Sequence, residues 1–532
     1  MLPTILMKSL LAFSALLLIL ALAVLNEHVN MMAGPGTIVL YLSVLFISWT
    51  FVNSVVTFMK RPKNIPHIAN SFIWGKWFSM LNYLFRANTI IMEAYKKSSR
   101  SPFAVFALRN YQVLVSSPEH ILQVAQAPER VLSFNLAIRD RLEHSAIMLG
   151  FRHDNKFDPD GAVTIRAVKV LLRENIPKLS EVIRKRMQES FTALLYTPLQ
   201  ERGSIEVSVL AFTKSVLVNP SIQISYGDEL ATNPVFQKSV LCYWWDSAYG
   251  SAICELLPKS IAPFIGWMFM AYRGSMRKVS KELEALVEKR MTAHANGSDD
   301  QYVDLAQFVI ASSRTPEQKD PLRLRQLLIA MTFVFAHQPP MSLAWAIIEL
   351  GQHPEYIELL RAEIHAAEQE GHHDFINHLP LMESVLRESS RLHPLDSLTV
   401  QRKAIQPFSF TDGTFLPTGT LVAVPQQAIM KDAEYYPNPD QFDPFRFHPG
   451  DPTREAVQKW TDVNLQYPFW GSPARSCPGR WVASHLMKQF LVQFLENYEF
   501  ELLNPNNCES VRWTTAVVPK HDIHISIRPR KL

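Results

Sequence analysis

Cysteine is scarce in this chain, with four among 532 residues. Cys242 and Cys254 lie close in sequence, while Cys477 and Cys508 stand far from them. This spacing excludes a disulfide framework and offers no four-ligand zinc cluster, so the catalytic part reads as cytosolic. An excess of charge of either sign is also missing: 53 Lys+Arg stand against 49 Asp+Glu. Without a basic field, nucleic acid is excluded as a partner. No internal repeat and no low-complexity tract interrupts the chain. With 48% hydrophobic residues it buries a large core and has room to enclose a cofactor.

Two uncharged runs open the sequence, residues 9–25 and 37–59, separated by Asn26-Glu27-His28 and the breaker Gly34-Pro35-Gly36. As helices they would extend roughly 26 and 35 Å against a hydrocarbon core of about 30 Å. A membrane hairpin and a cleaved signal followed by one span both fit. Lys8 precedes the first run, no Lys or Arg separates the two, and Lys60, Arg61 and Lys63 follow the second. The positive-inside rule then places everything downstream in the cytosol. Pro62 and Pro66 form a stiff polar hinge. Residues 1–62 are therefore expected to be a membrane anchor and 63–532 the catalytic domain. Asn296-Gly297-Ser298 is a glycosylation acceptor pattern in a polar stretch, and in a cytosolic domain it stays bare.

Helical periodicity dominates the body. Residues 165–191 repeat apolar side chains at three and four with a break at Pro177, and Val279, Leu283, Leu286, Val287 and Met291 do the same. Residues 112–115 read as a short strand and Ser117-Pro118 as a helix start. Residues 243–272 are rich in aromatic and apolar side chains, among them Trp244, Trp245, Phe264, Trp267, Met268 and Phe269.

The stretch with the most chemistry is Phe469-Trp470-Gly471-Ser472-Pro473-Ala474-Arg475-Ser476-Cys477-Pro478-Gly479-Arg480. Gly471 and Gly479 allow close backbone approach, and Pro478 brings no amide hydrogen. Apolar residues at helical spacing follow Arg480, so Cys477 sits where amide groups and a helix dipole favour a thiolate. A single anionic sulfur suits an axial haem ligand. By its own physics the stretch also fits a buried cysteine followed by a turn and an amphipathic helix. Upstream, Glu388 and Arg391 lie three apart on a helix that Pro394 closes, and Phe442-Asp443-Pro444-Phe445-Arg446-Phe447 follows.

These three motifs, in this order, resemble the cytochrome P-450 family over roughly residue 63 to the carboxyl terminus. The resemblance implies a mainly α fold with small β-sheets, preceded here by the N-terminal membrane anchor. It implies haem b with Cys477 as the proximal iron ligand, and Trp470 in place of the usual Phe near the sulfur. Arg475 and Arg402 are implied as haem propionate contacts, and Glu388, Arg391 and Arg446 as a buried triad. Pro473 departs from the pattern, which usually has Gly there. Residues 243–272 would roof the substrate pocket and dip toward the membrane. The overall look is that of fungal membrane-bound members of secondary metabolism.

The pattern fails in the helix expected over residues 321–350. Where the family has a small residue, an acid and a Thr, this chain has Phe335, His337 and Gln338. Pro339 and Pro340 remove two helix amides, which is expected to kink the helix and free the carbonyls of Phe335 and Ala336. His337 and Gln338 are the catalytic candidates, replacing the usual acid-alcohol proton relay. The implied activity is an endoplasmic reticulum monooxygenase that takes electrons from an NADPH-dependent flavoprotein reductase and oxidises a lipophilic small molecule. A haem-thiolate isomerase or dehydratase needing no reductase, and a non-catalytic haem-binding membrane protein, are the alternatives.

Overall fold

A computed structural model describes residues 75–152, 163–257, 259–371, 375–448 and 458–531, with short pieces between 43 and 68. The run 9–25 lies outside the described residues. Of the run 37–59 only isolated positions are described, and these are helical, with Val44, Ile47 and Phe51 exposed.

The described chain is mainly helical. The helices that matter for the site are α1 (Gly75–Ser98), α2 (Val209–Tyr226), α3 (Pro234–Leu256), α4 (Ala262–Arg273), α5 (Pro321–Gln352), α6 (Pro380–Leu392) and α7 (Arg480–Asn497). Helix starts follow cap chemistry: Ser208 accepts from the Ala211 amide ahead of α2, and Asn233 accepts from Val235 and Phe236 ahead of α3. Ser117 caps the helix Pro118–Gln126, with Pro118 in its first turn. Pro177 likewise stands in the first turn of the helix Ile176–Arg202, so the break expected there separates that helix from the short π-turn Ala167–Leu172.

Helix α5 is the central beam. It is long and apolar enough to cross a membrane, but its apolar stretch is 72% buried inside the protein. Helices α2, α3, α6 and α7 all pack on it. Helix α5 runs through Pro339 and Pro340 as one unbroken element. Helix α2 is tied to this beam by two hydroxyls: Thr213 donates to the Pro340 carbonyl at 3.0 Å, and Tyr226 donates to Leu328 O at 3.0 Å.

A six-stranded mixed sheet stands at one side: β1 (His67–Ile68), β2 (Phe103–Ala107), β3 (Asn110–Leu114), β4 (Leu132–Ser133), β5 (Thr399–Ala404) and β6 (Leu421–Val424), in the order β1-β2-β3-β6-β5-β4. Strand β5 alternates partly exposed with buried residues, and this period of two turns Val400, Arg402 and Ala404 inward. The larger hydrophobic core surrounds α5, and a second one lies between α1 and the sheet.

Candidate active site

The cysteine loop is a hairpin leading into a helix. Strands β7 (Gly471–Ser472) and β8 (Arg475–Ser476) pair antiparallel, leaving Pro473 and Ala474 as a two-residue turn. Gly471 has φ of 100°, and a Cβ there would lie 2.7 Å from Arg475 O, so only glycine fits. Pro473 stands at the first turn position, where its fixed φ is suited. The Cys477 amide then donates to Trp470 O at 2.6 Å, and α7 begins three residues later. The Gly479 and Arg480 amides hydrogen-bond the sulfur and favour the thiolate. Burial nevertheless pushes the Cys477 thiol up, which a bound cation would reverse. The residue keeps part of its surface accessible.

The Trp470 ring packs against Phe469 and Trp460 at centroid distances of 4.8 and 5.0 Å. Its indole N–H donates to Trp460 O at 2.7 Å.

Glu388 and Arg391 sit one turn apart on α6 and are both completely buried. Arg446 Nε donates to Glu388 Oε1 at 2.9 Å. The remaining guanidinium hydrogens reach carbonyls: Arg391 Nη1 to Met430 and Pro439, and Arg446 Nη1 to Pro437 at 2.8 Å. Two cations on one carboxylate hold because these carbonyls satisfy the outer donors.

Arg402 and Arg475 approach each other beside Glu129. Arg475 donates to Ala127 O at 3.1 Å and pairs with Glu129 at 3.4 Å. Arg402 is 3% exposed and, among the described residues, bonds only its neighbour's carbonyl, Gln401 O, at 2.8 Å, and leaves Nε without a partner. Burial, and then the Arg475 charge, lower its pKa to about 10. An anionic ligand lying between these guanidinium groups would satisfy both. The residues present therefore fit haem b: a sulfur supported by two amides, and a buried arginine with an unused donor for a propionate.

On α5 the two catalytic candidates part company. Gln338 and Val334, one turn apart, are exposed on a helix otherwise buried at Phe335, His337, Pro339 and Pro340. Successive helical residues point about 100° apart. His337 accordingly turns inward, between Trp244 and Phe333 at ring distances of 4.2 and 4.4 Å, and its Nε2 has no hydrogen-bond partner among the described residues. Burial, then the charge of Lys214, hold its pKa well below the usual value.

Lys214 escaped the sequence reading. It is 4% exposed, its Nζ makes no hydrogen bond among the described residues, and it lies 3.0 Å from the Trp244 ring centroid and 3.6 Å from that of Trp245. Burial lowers its pKa to about 6. The available signal was its standing as the single charged residue in the apolar helix Val209–Tyr226.

Helices α3 and α4 carry the aromatic stretch. Tyr243 and Trp244 face inward, while Phe264, Trp267, Met268 and Tyr272 are exposed, as are Phe78, Leu81 and Phe85 of α1. Asn296 lies in an exposed loop just after the helix Ser275–Ala295.

The chain belongs to the cytochrome P450 family, whose sequence pattern matches residues 76–525. It is thus a member of a family of monooxygenases that carry haem b with a thiolate-ligated iron. Cytochrome P450 monooxygenase 110 of Postia placenta is similar at 25% identity over 447 residues, covering 83% of this chain and 88% of that one. Ent-kaurene oxidase of Gibberella intermedia is similar at 24% identity over 468 residues, covering 86% of each. Retinoic acid bound cyanobacterial CYP120A1 shares the fold with a TM-score of 0.61 and 18% identity, covering 85% of this chain and 96% of that one.

Proposed function

We propose that this protein is a membrane-bound monooxygenase of secondary metabolism, with Cys477 as the iron ligand, acting on a lipophilic small molecule. The observation that carries this reading is the Cys477 loop, with two amides on the sulfur and a buried Arg402 nearby that lacks a partner for Nε among the described residues. Bound haem supplies the oxygen-activating chemistry. Cys477 holds the iron, Arg402 and Arg475 hold the propionates, and the Glu388, Arg391 and Arg446 triad braces the proximal side. On α5, Gln338 offers its side-chain amide on the exposed face, and neutral His337 supports the helix beneath it. The apolar runs 9–25 and 37–59, the basic residues after them, and the exposed Phe264, Trp267 and Phe85 support an anchor in the endoplasmic reticulum with the catalytic domain cytosolic. An NADPH-dependent flavoprotein reductase is then the electron source, and substrate enters from the bilayer.

Gln338 favours one second reading, since no hydroxyl stands at its position: a haem-thiolate isomerase or dehydratase. Reductase-dependent oxygen insertion by membranes containing the protein supports the first reading, and rearrangement without reductant the second. Within the first reading, Gln338→Thr is expected to change product formed per NADPH consumed several-fold, whereas His337→Ala changes mainly stability. Unchanged coupling in Gln338→Thr contradicts the role given to Gln338.

A further inference from the structure

Trp470 has an indole N–H that a phenylalanine in its place would lack, and that hydrogen begins a continuous path away from the cysteine loop. It donates to the Trp460 carbonyl at 2.7 Å. The Trp460 amide donates to Glu383 Oε2 at 2.6 Å, and its indole donates to Ser390 Oγ at 3.1 Å. The other carboxylate oxygen of Glu383 pairs with Lys488 Nζ at 2.5 Å. At the near end the Trp470 carbonyl accepts the Cys477 amide at 2.6 Å. Glu383 and Ser390 belong to α6 and Lys488 to α7, so both helices grip the loop through one tryptophan backbone.

The far end of the path is buried, while Trp470 and Cys477 are half-buried. Trp460 is fully buried, and the Lys488 and Glu383 side chains are 1% and 11% exposed. Hydrogen bonds in such surroundings are stiff, and a stranded charge is costly, so the Glu383 oxygens are fixed points. Glu383 holds Trp460, Trp460 holds the Trp470 ring, and the Trp470 peptide plane sets the direction of the Cys477 amide.

We propose that Trp470 and the Glu383–Lys488 pair are positioning residues for Cys477, anchoring its loop to α6 and α7 through one hydrogen-bonded path. The functional consequence rests on Cys477 being the iron ligand; the anchoring itself does not. A reacting group must be held to within about half an ångström by its supporting shell, and this path provides such support from outside the loop.

The test uses the full-length, haem-loaded protein. Trp470→Phe keeps the aromatic ring and removes the N–H. Amide exchange over residues 470–480 is expected to rise about tenfold, the effect of one hydrogen bond, with the unfolding midpoint lowered by no more than a few degrees. The red-shifted Soret band of the reduced carbon-monoxide complex is expected to decay several times faster. Glu383→Gln combined with Lys488→Met avoids a stranded charge and is expected to raise exchange in the same segment about threefold. Added to Trp470→Phe it should bring less than the product of the two effects, because both cut one path. Unchanged exchange in Trp470→Phe, multiplying effects, or loosening spread over the whole chain would each overturn the proposal. In parallel, a Soret band that survives Cys477→Ala removes the ligand reading, while the exchange data still judge the anchor.

Discussion

Arg391 grips Glu388 with two parallel hydrogen bonds, Nε to Oε2 at 2.7 Å and Nη2 to Oε1 at 2.8 Å, and neither side chain touches solvent. This fork geometry is open to arginine alone, since lysine has a single point of charge. The same spacing of three on an exposed helix would contribute well under 1 kcal/mol. Burial makes the pair an all-or-none feature.

Arg391→Ala is therefore expected to cost about 3 to 5 kcal/mol, because Glu388 is left buried with half its counter-charge. Arg391→Lys should recover only part of that. Thermal unfolding and the yield of haem-loaded protein measure both. A yield equal to that of the unaltered protein would contradict the buried role.

Lys214 sets a pH dependence of stability. Its folded pKa is lowered to about 6 from 10.5, so between those values the unfolded chain binds more protons. The unfolding free energy should accordingly rise with pH from about 6 toward 10 and be lowest below about 6. Lys214→Met removes the buried amine and should raise stability near neutral pH by a few kcal/mol, since each tenfold loss of proton affinity on folding corresponds to roughly 1.4 kcal/mol. It should also flatten the profile over that window. Denaturant unfolding across pH checks this, and a variant less stable than its parent would show that the amine's contact with Trp244 and Trp245 outweighs its burial.

Asn296 reports topology. Its loop is exposed, so access is set only by the side of the membrane. Expressed in a eukaryotic host, the protein should show no mobility shift on glycosidase treatment. A shift abolished by Asn296→Gln would put the domain in the lumen, away from a cytosolic reductase.

What can be read from the sequence follows from what is local in it. The cysteine loop, the Glu388 and Arg391 spacing, the helix start at Ser117 and the break at Pro177 depend on neighbours within a dozen residues, and the helical dominance follows from periodicity. The continuity of α5 through Pro339 and Pro340 is not legible from those two residues, and α2, which bonds it at Thr213, lies more than a hundred residues away. The opposite facing of His337 and Gln338 is implicit in helical geometry, yet which face is buried depends on α3 and Trp244. Lys214 and the path from Trp470 to Lys488 are assembled entirely from distant segments, and no spacing rule exposes them.

The most direct test of the account is the spectrum of the reduced, carbon-monoxide-treated protein. Cys477 is the one cysteine whose sulfur is met by two amides at the start of a long helix. The unaltered protein should give the red-shifted Soret band of a thiolate-ligated haem, and Cys477→Ala should abolish it, while Cys242→Ala, Cys254→Ala and Cys508→Ala retain it. A band that persists in Cys477→Ala would contradict the assignment of the iron ligand, and with it the site built around α5, α6 and α7.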